Sequence, residues 1–584
     1  MDAVASDAER SAVDAAIGTM SDRRVGQVAH GGPRRAAGRR THLLPALHAL
    51  QDEAGWISPG GLTYVCDRLD VPPAEAFGVA TFYSLIATEE RPRQVAHVCD
   101  DIVCLGAGAG EVLASLDDDT EVHRSPCLGR CDQAPAVFVQ NAGAANIVVA
   151  PADTGRVRLV LDPQPGTTPV TSAPMPVQAG DASTRLLRGV GTGPPASFDA
   201  YRARGGCSAL ERALRIGREA VLAEVDASGL RGRGGAAFPA DVKWRAVAAA
   251  TEATRYVICN ADESEPGTFK DRVLLEHDPF AVIEALVIAG FAVAAAQGFI
   301  YLRGEYPEAE RVLDAALTEA RLAGMLGESV LRSEFAFDIE VRRGAGAYVC
   351  GEETALFNSI EGLRGEPRQK PPFPTEAGLF GKPTLINNVE TLANIPWILQ
   401  EGGAAFAERG TEDSSGSKLF SVSGAVAVPG VYEVEFGATL GDVLDLAGGA
   451  SDDLAAVLVG GAAGAFVGPD RRDIVMTFAG TRDAGIPLGS GAIVAFDAST
   501  DFTAVVARIA QFFADESCGQ CVPCRVGTVR QVEALERLSS GADTTQTLGD
   551  LDVVLRDASI CGLGQFASNA VQSALRLGLI GAGP

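Results

Sequence analysis

Apolar positions along this chain follow two periods. In "LLPALHALQDEAGW" (43–56) they return every three or four residues, which is one face of a helix. "SPGGLTYVCDRLDV" (58–71) repeats that spacing, with Ser58 and Pro59 as a cap and first-turn pair. After Arg93 the pattern shortens. "QVAHVC" and "AVFVQ" are strand-like and flank a helical "AGEVLASL". Farther on, "TRYVICN" and "QGFIYLRG" are strands alternating with helices, an α/β pattern. "KLFSVSG", "GVYEVEF", "AAVLVGG" and "AIVAFD" are short strands around one helix, "LGDVLDLAGG". The last eighty or so residues are helical, and "VVARIAQFFADE" runs into a cysteine cluster.

These shifts divide the chain. Residues 1–38, rich in Ala, Ser and charge, are expected to be a disordered arm. A helical and small α/β domain follows over 39–160. Five prolines between Pro163 and Pro176 make 161–189 an extended linker. An α/β domain covers 190–410, a small α+β domain 411–503, and a helical domain 504–584. The expected fold is thus a multidomain α/β protein.

Composition narrows the function. The net charge of -26 argues against a nucleic-acid partner. The longest apolar run, Ala285 to Ala296, is too short to span a bilayer and reads as a buried helix. Acidic residues follow Met1 where a signal peptide would be basic and then apolar, so direct membrane insertion is not expected and a cytoplasmic location is. In a reducing compartment, the twelve cysteines are ligands or buried thiols rather than disulfides.

Eight of them have ligand spacing. Cys518, Cys521 and Cys524 form C-x2-C-x2-C, and Cys561 is a remote fourth, a set suited to a [4Fe–4S] cluster. Cys99 and Cys104, then Cys127 and Cys131, form two separated pairs, suited to a [2Fe–2S] cluster. Zinc also accepts four thiolates, more often through two C-x2-C pairs. Cys66, Cys207, Cys259 and Cys350 lack such spacing and read as buried small hydrophobes.

Glycine-rich and acidic clusters crowd the large α/β domain. "SGLRGRGGAAFPADVKW" (228–244) offers backbone N–H groups for a phosphate, with Lys243 adding charge. "CNADESEPGTFKDR", "GAGAYVCGEETAL", "KPPFP" and "TLINNVET" supply amides and carboxylates for ribityl and ribose hydroxyls. Phe238 or Phe373 could stack on a flat ring.

Those motifs, together with ESCGQCVPCR and ICGLGQ, resemble the flavin-bearing, NADH-oxidising subunit of respiratory complex I and its soluble relatives. Residues 41–150 resemble the thioredoxin-like [2Fe–2S] subunit, through LLPALHALQDE, GVATFYSL and the two cysteine pairs. The resemblance implies a thioredoxin-like domain, a Rossmann-like FMN/NAD domain, a β-grasp (soluble-ligand-binding) domain and a C-terminal helical bundle holding [4Fe–4S]. It implies FMN contacts at Gly232, Arg233, Gly234, Lys243, Asn260, Asp262, Glu263, Ser264, Gly351, Glu352, Asn387, Asn388 and Thr391. Contacts to NAD are implied at Phe238, Glu265, Tyr348, Glu353, Lys370 and Phe373, with Glu353 orienting the nicotinamide as the catalytic residue. Ala246 stands where many complex I members carry a stacking Phe, and only 22 residues separate Cys104 from Cys127.

Fusion of both modules in one chain resembles the β subunit of soluble NAD-linked formate dehydrogenases or the diaphorase subunit of NAD-reducing hydrogenases. The arm, the full [2Fe–2S] set and "RDASICGLGQ" favour the formate type. A large partner subunit carrying a molybdenum or tungsten pterin is then expected, because no motif here binds one. A non-catalytic electron carrier or ligand sensor is the rival of another class.

Overall fold

The structure is a computed structural model that describes residues 4–18, 38–116, 121–162 and 174–581. The expected disordered arm is partly a helix, Asp7–Ile17. Ser6 accepts from the Glu9 amide, and the Glu9 carboxylate accepts in return from the Ser6 amide. Eleven residues are too few for a stable isolated helix. Docking supplies the difference: Val13 and Ile17 are buried, and Asp14 accepts from the Tyr64 hydroxyl (2.9 Å) and pairs with Arg68 (2.8 Å). Residues 1–3 and 19–37 of the expected arm lie outside the described residues.

The small α/β domain has strands β1 (Gln94–Cys99), β2 (Glu121–Ser125), β3 (Val137–Asn141) and β4 (Ile147–Val149), in the order β2-β1-β3-β4. β1 and β2 are parallel; β3 is antiparallel to β1 and to β4.

The large domain holds β5 (Tyr256–Ala261), β6 (Gln297–Leu302), β7 (Ile339–Arg343) and β8 (Thr384–Asn388), all parallel, in the order β7-β6-β5-β8. The central strands β5 and β6 are almost entirely buried, as suits strands covered on both faces, while the edge strand β7 carries Glu340, Arg342 and Arg343. The apolar run seen in the sequence forms the helix Pro279–Val293, almost entirely buried. The chain leaves β5 toward β6 on one side and returns to β8 on the other. Such a reversal opens a crevice at the carboxyl ends of the strands, where open α/β sheets bind ligands.

Next come β9 (Ser417–Gly424), β10 (Gly430–Glu435), β11 (Leu454–Val459), β12 (Ala465–Val467) and β13 (Ala492–Asp497), in the order β10-β9-β13-β11-β12. β9 and β13 are parallel, the mixed pairing of a β-grasp. The chain ends in helices, chiefly Phe502–Asp515, Val522–Ser539, Thr545–Ala558 and Asn569–Arg576. Among the described residues, no helix is long and apolar enough to cross a membrane.

The proline-rich linker differs from expectation where it is described. Part of it, 163–173, lies outside the described residues. Beyond that, the amides of Arg185, Leu186 and Leu187 all donate to the Glu433 carboxylate on β10, at 2.7–3.0 Å. Leu186 and Leu187 are buried. A carboxylate satisfied by three amides makes this stretch a docked strap rather than a free spacer.

Candidate functional site

The register of β5 on β8 places Asn260 beside Asn388 and Cys259 beside Asn387. Asn260, one residue before the end of β5, and Asn388, the last residue of β8, therefore lie together at the crevice. Asn260 donates to the Gly351 carbonyl (2.9 Å), which ties the strand end to the 344–353 loop. Asn388 caps the turn after β8 by accepting from the Glu390 amide, and it donates to Asp271 at 2.6 Å. Asn387 accepts from the buried Trp244 indole at 3.1 Å. The glycine-rich loop reaches the same edge. A Cβ on Gly234 would stand 2.9 Å from that of Asn388, and the Arg233 amide donates to Thr391 Oγ1 (2.8 Å).

Opposite lies a charged group. Glu352 caps the helix Glu353–Ile360 by accepting from the Thr354 and Ala355 amides. Lys370 bridges Glu352 (2.8 Å) and Glu353 (2.7 Å), and Lys243 reaches Glu353 at 3.1 Å. Burial works to raise the Glu353 carboxyl, but Lys243 and Lys370 outweigh it and hold Glu353 below the usual value. Two phenylalanines stand exposed here, Phe238 at 47% and Phe373 at 52%. The Lys243 ammonium lies 5.7 Å from the Phe238 ring centre.

The 262–265 loop closes the crevice. Burial pushes Asp262 up to about 8, against the pull of Arg303, and Ser264 donates to it at 3.1 Å. Burial likewise pushes Glu265 up to about 7, where it accepts from the Ala463 amide of the β-grasp domain (2.9 Å). The Tyr348 amide donates to Glu516 at 2.7 Å, and its ring packs on Phe512 with centres 5.0 Å apart.

Two predicted contacts turn out differently. The Arg233 side chain is buried away from the crevice: it donates to the Ser415 carbonyl (2.7 Å) and lies over the Phe436 ring. The Glu263 carboxylate accepts from the Asp271 and Arg272 amides and from the Tyr306 hydroxyl. Both side chains are engaged inside the protein, and so are the Arg233 amide, which donates to Thr391, and the Glu263 carbonyl, which accepts from Arg303. Sequence reasoning also passed over Trp244, Asp271, Arg303 and Glu516. Lys270, Asp271 and Arg272, three charged residues in succession, are all buried.

Both cysteine sets assemble. Cys99, Cys104, Cys127 and Cys131 are buried as free thiols, and the sulfurs of Cys127 and Cys131 are 3.4 Å apart. Cys99 lies within hydrogen-bonding reach of Cys104 and Cys127. The Gly129 amide donates to Cys127 Sγ at 3.4 Å, and Asp101 accepts from the Cys127 amide at 3.2 Å. In the C-terminal set, Cys521 and Cys561 each precede a helix and Cys524 sits on the first turn of Val522–Ser539. Amides of Leu563 and Gly564 are directed at Cys561 Sγ, and that of Gln520 at Cys518. A Cβ on Gly564 would meet that of Cys524 at 3.0 Å, so the two cysteine-bearing segments approach closely. Among the described residues, no three His, Cys, Asp or Glu side chains converge on a single-ion point. Four thiols with amides aimed at sulfur fit iron–sulfur clusters in donor chemistry. The cradle of asparagines, glycines, lysines and exposed aromatics likewise fits a flavin nucleotide. Cys66, Cys207, Cys259 and Cys350 are buried, as expected.

A parallel-sheet crevice flanked by two four-cysteine sites defines a flavin and iron–sulfur oxidoreductase subunit, and comparison with known proteins agrees. Residues 225–397 match the Nuo51 FMN-binding domain, 504–577 the NADH-ubiquinone oxidoreductase-F iron–sulfur binding region, 33–153 the thioredoxin-like [2Fe-2S] ferredoxin, and 419–464 the SLBB domain. NAD-reducing hydrogenase HoxS subunit alpha of Cupriavidus necator is 35% identical over 92% of this chain and 90% of its own. An NADH-quinone oxidoreductase subunit of Aquifex aeolicus is 44% identical over 65% of this chain and 89% of its own. A solved NAD+-reducing [NiFe]-hydrogenase chain superposes with a TM-score of 0.79 at 32% identity, covering 94% of this chain and 93% of that one. The chain belongs to the family of NADH-oxidising flavoprotein subunits shared by complex I and the NAD-reducing hydrogenases.

Proposed function

We propose that this chain is a diaphorase subunit that exchanges hydride between NAD(H) and FMN in the β5/β8 crevice. The observation that carries this reading is the register pairing of Asn260 with Asn388, facing the Glu352–Lys370–Glu353–Lys243 group. Bound there, FMN would supply the conversion between a two-electron hydride and single electrons. Gly232, Gly234 and Gly351 leave room for a flat ring and phosphate, with Asn260, Ser264, Asn387, Asn388 and Thr391 as polar contacts. Glu353, kept ionised by its two lysines, orients the nicotinamide end, while Phe238, Phe373 and Tyr348 flank it. Asp262, with its proton retained at neutral pH, can donate a hydrogen bond to a ligand oxygen. No side-chain acid is required for the hydride itself.

The two cysteine sets would hold the clusters: Cys518, Cys521, Cys524 and Cys561 for [4Fe–4S], and Cys99, Cys104, Cys127 and Cys131 for [2Fe–2S]. Cys561 lies within electrostatic reach of Glu352 and Tyr348, which supports the C-terminal set as the neighbour of the flavin site. A double variant Glu352→Ala/Asn388→Ala tests the crevice. It should carry both clusters and little flavin; full FMN content would refute the site.

Electrons then pass to or from a partner subunit. The relatives that span nearly the whole chain are named as NAD-reducing hydrogenases, which supports a hydrogenase-type partner. A formate-oxidising partner with a molybdenum or tungsten pterin fits the same fused layout and rests on the sequence resemblance alone. Assays of the purified complex for H2-dependent and formate-dependent NAD+ reduction separate the two. A cytoplasmic setting is proposed with either.

A further inference from the structure

Arg303 follows β6 in the flavin domain and is buried at 2% exposure. One of its terminal nitrogens donates to the Glu263 carbonyl at 2.7 Å, in the loop that closes the crevice. The other donates to the carbonyl of Cys127 at 2.8 Å, in the neighbouring domain. Glu305 pairs with the guanidinium at 3.1 Å, and the Tyr306 ring lies 4.9 Å from it. Tyr306 also packs directly on Gly129, so any side chain there would collide with its ring. From the same flavin-domain loop, the Gly267 amide is directed at Cys127 Sγ. A cysteine of one domain thus has its carbonyl and its sulfur both engaged by the other.

We infer that Arg303 is a positioning residue for the [2Fe–2S] site: it fixes the Cys127 loop against the flavin domain and, through its charge, makes a cluster held by the four cysteines easier to reduce. The inference rests on the ligand assignment made above. Reduction adds one negative charge, and a buried cation nearby favours the more negative state in a medium that screens poorly. Cluster potentials follow local charge and hydrogen bonds to sulfur. Glu305 works in the opposite direction and offsets only part of that charge, since the guanidinium, not the carboxylate, is the group bonded to the cysteine loop.

The sign of the effect is the test. Midpoint potentials of the [2Fe–2S] signal would be measured by EPR-monitored titration of the full chain, with the [4Fe–4S] signal as an internal reference. Arg303→Gln should weaken the affinity of the cluster for its electron about tenfold, a downward shift of about 59 mV for a one-electron couple. Arg303→Lys keeps the charge and should shift it far less. Glu305→Gln should move it upward. Should Arg303→Gln fail to load its cluster, the lysine and Glu305 variants decide. Potentials unmoved in every loaded variant, or a fall on removing Glu305, would overturn the inference. Cys127→Ala is the separate check: a [2Fe–2S] signal that survives it would refute the ligand assignment instead.

Discussion

The two cysteine sites of this chain are built in opposite ways. At the C-terminal site three ligands lie within seven residues, and local structure arranges them: a loop, a helix start and its first turn. Cys518, Cys521 and Cys561 are only half-buried. In the thioredoxin-like domain all four thiols are at most 4% exposed, and much of the seal comes from elsewhere. Arg303 holds the Cys127 carbonyl, Arg272 donates to the Gly129 carbonyl at 2.9 Å, and Arg508 of the helical domain pairs with Asp100 at 3.2 Å. One site is a local motif nearer the surface. The other exists in its present form only because three domains close over it.

The largest expected effect breaks the first site. Cys561→Ala should abolish the [4Fe–4S] cluster or reduce it to a three-iron form, and steady-state transfer to the partner's substrate should collapse. The flavin site belongs to another domain, so NADH should still bleach the flavin in a single anaerobic turnover, and the [2Fe–2S] signal should persist. An intact [4Fe–4S] spectrum with normal turnover would show that Cys561 is not a ligand.

A breach of the second site should instead appear as lost stability. Arg272 is fully buried, donates to Asp132 at 2.8 and 2.9 Å and to Glu276 at 3.0 Å. Arg272→Ala would strand Asp132, while Glu276 keeps Arg130 at 2.8 Å, a loss of roughly 3–5 kcal/mol for a broken buried pair. Chemical denaturation should show it, with the [2Fe–2S] signal lost before the [4Fe–4S] signal. At the C-terminal site the comparable change is milder. Gln531 donates to the Ala567 carbonyl at 3.0 Å, and Gln531→Ala should cost about 1–3 kcal/mol.

The smallest effect concerns the loop between the two sites. Burial raises Asp262 to about 8 and Glu265 to about 7, so both keep their protons in the folded chain above the pH at which the unfolded chain loses them. Their contribution to stability is therefore complete below about pH 4, near the ordinary carboxylate values, and is lost as pH rises toward 7–8. The melting temperature of flavin-free protein should fall between pH 6 and 8.5, and Asp262→Asn should flatten that fall. An unchanged slope in the variant would place the titration elsewhere.

The sequence by itself determined what depends on near neighbours in the chain. Helical and strand periods, the Ser58–Pro59 helix start, the C-x2-C-x2-C triplet and the glycine-rich loops are all short-range patterns, and each is legible without knowing what packs beside it. The resemblance carried by the motifs added the cofactors. What only the tertiary structure decided depends on residues far apart. The helix Asp7–Ile17 is too short to stand alone and reads as a disordered arm until the groove that buries Val13 and Ile17 is present. Arg233 sits in a ligand motif, yet its side chain is drawn to Ser415 and Phe436 in the β-grasp domain. Lys270, Asp271 and Arg272 are consecutive charges in the sequence, and only the fold makes them a buried ion network. Charge in a sequence states what a residue can bind; its solvation depends on which distant carboxylates and amides the fold brings within reach, and no local spacing encodes that.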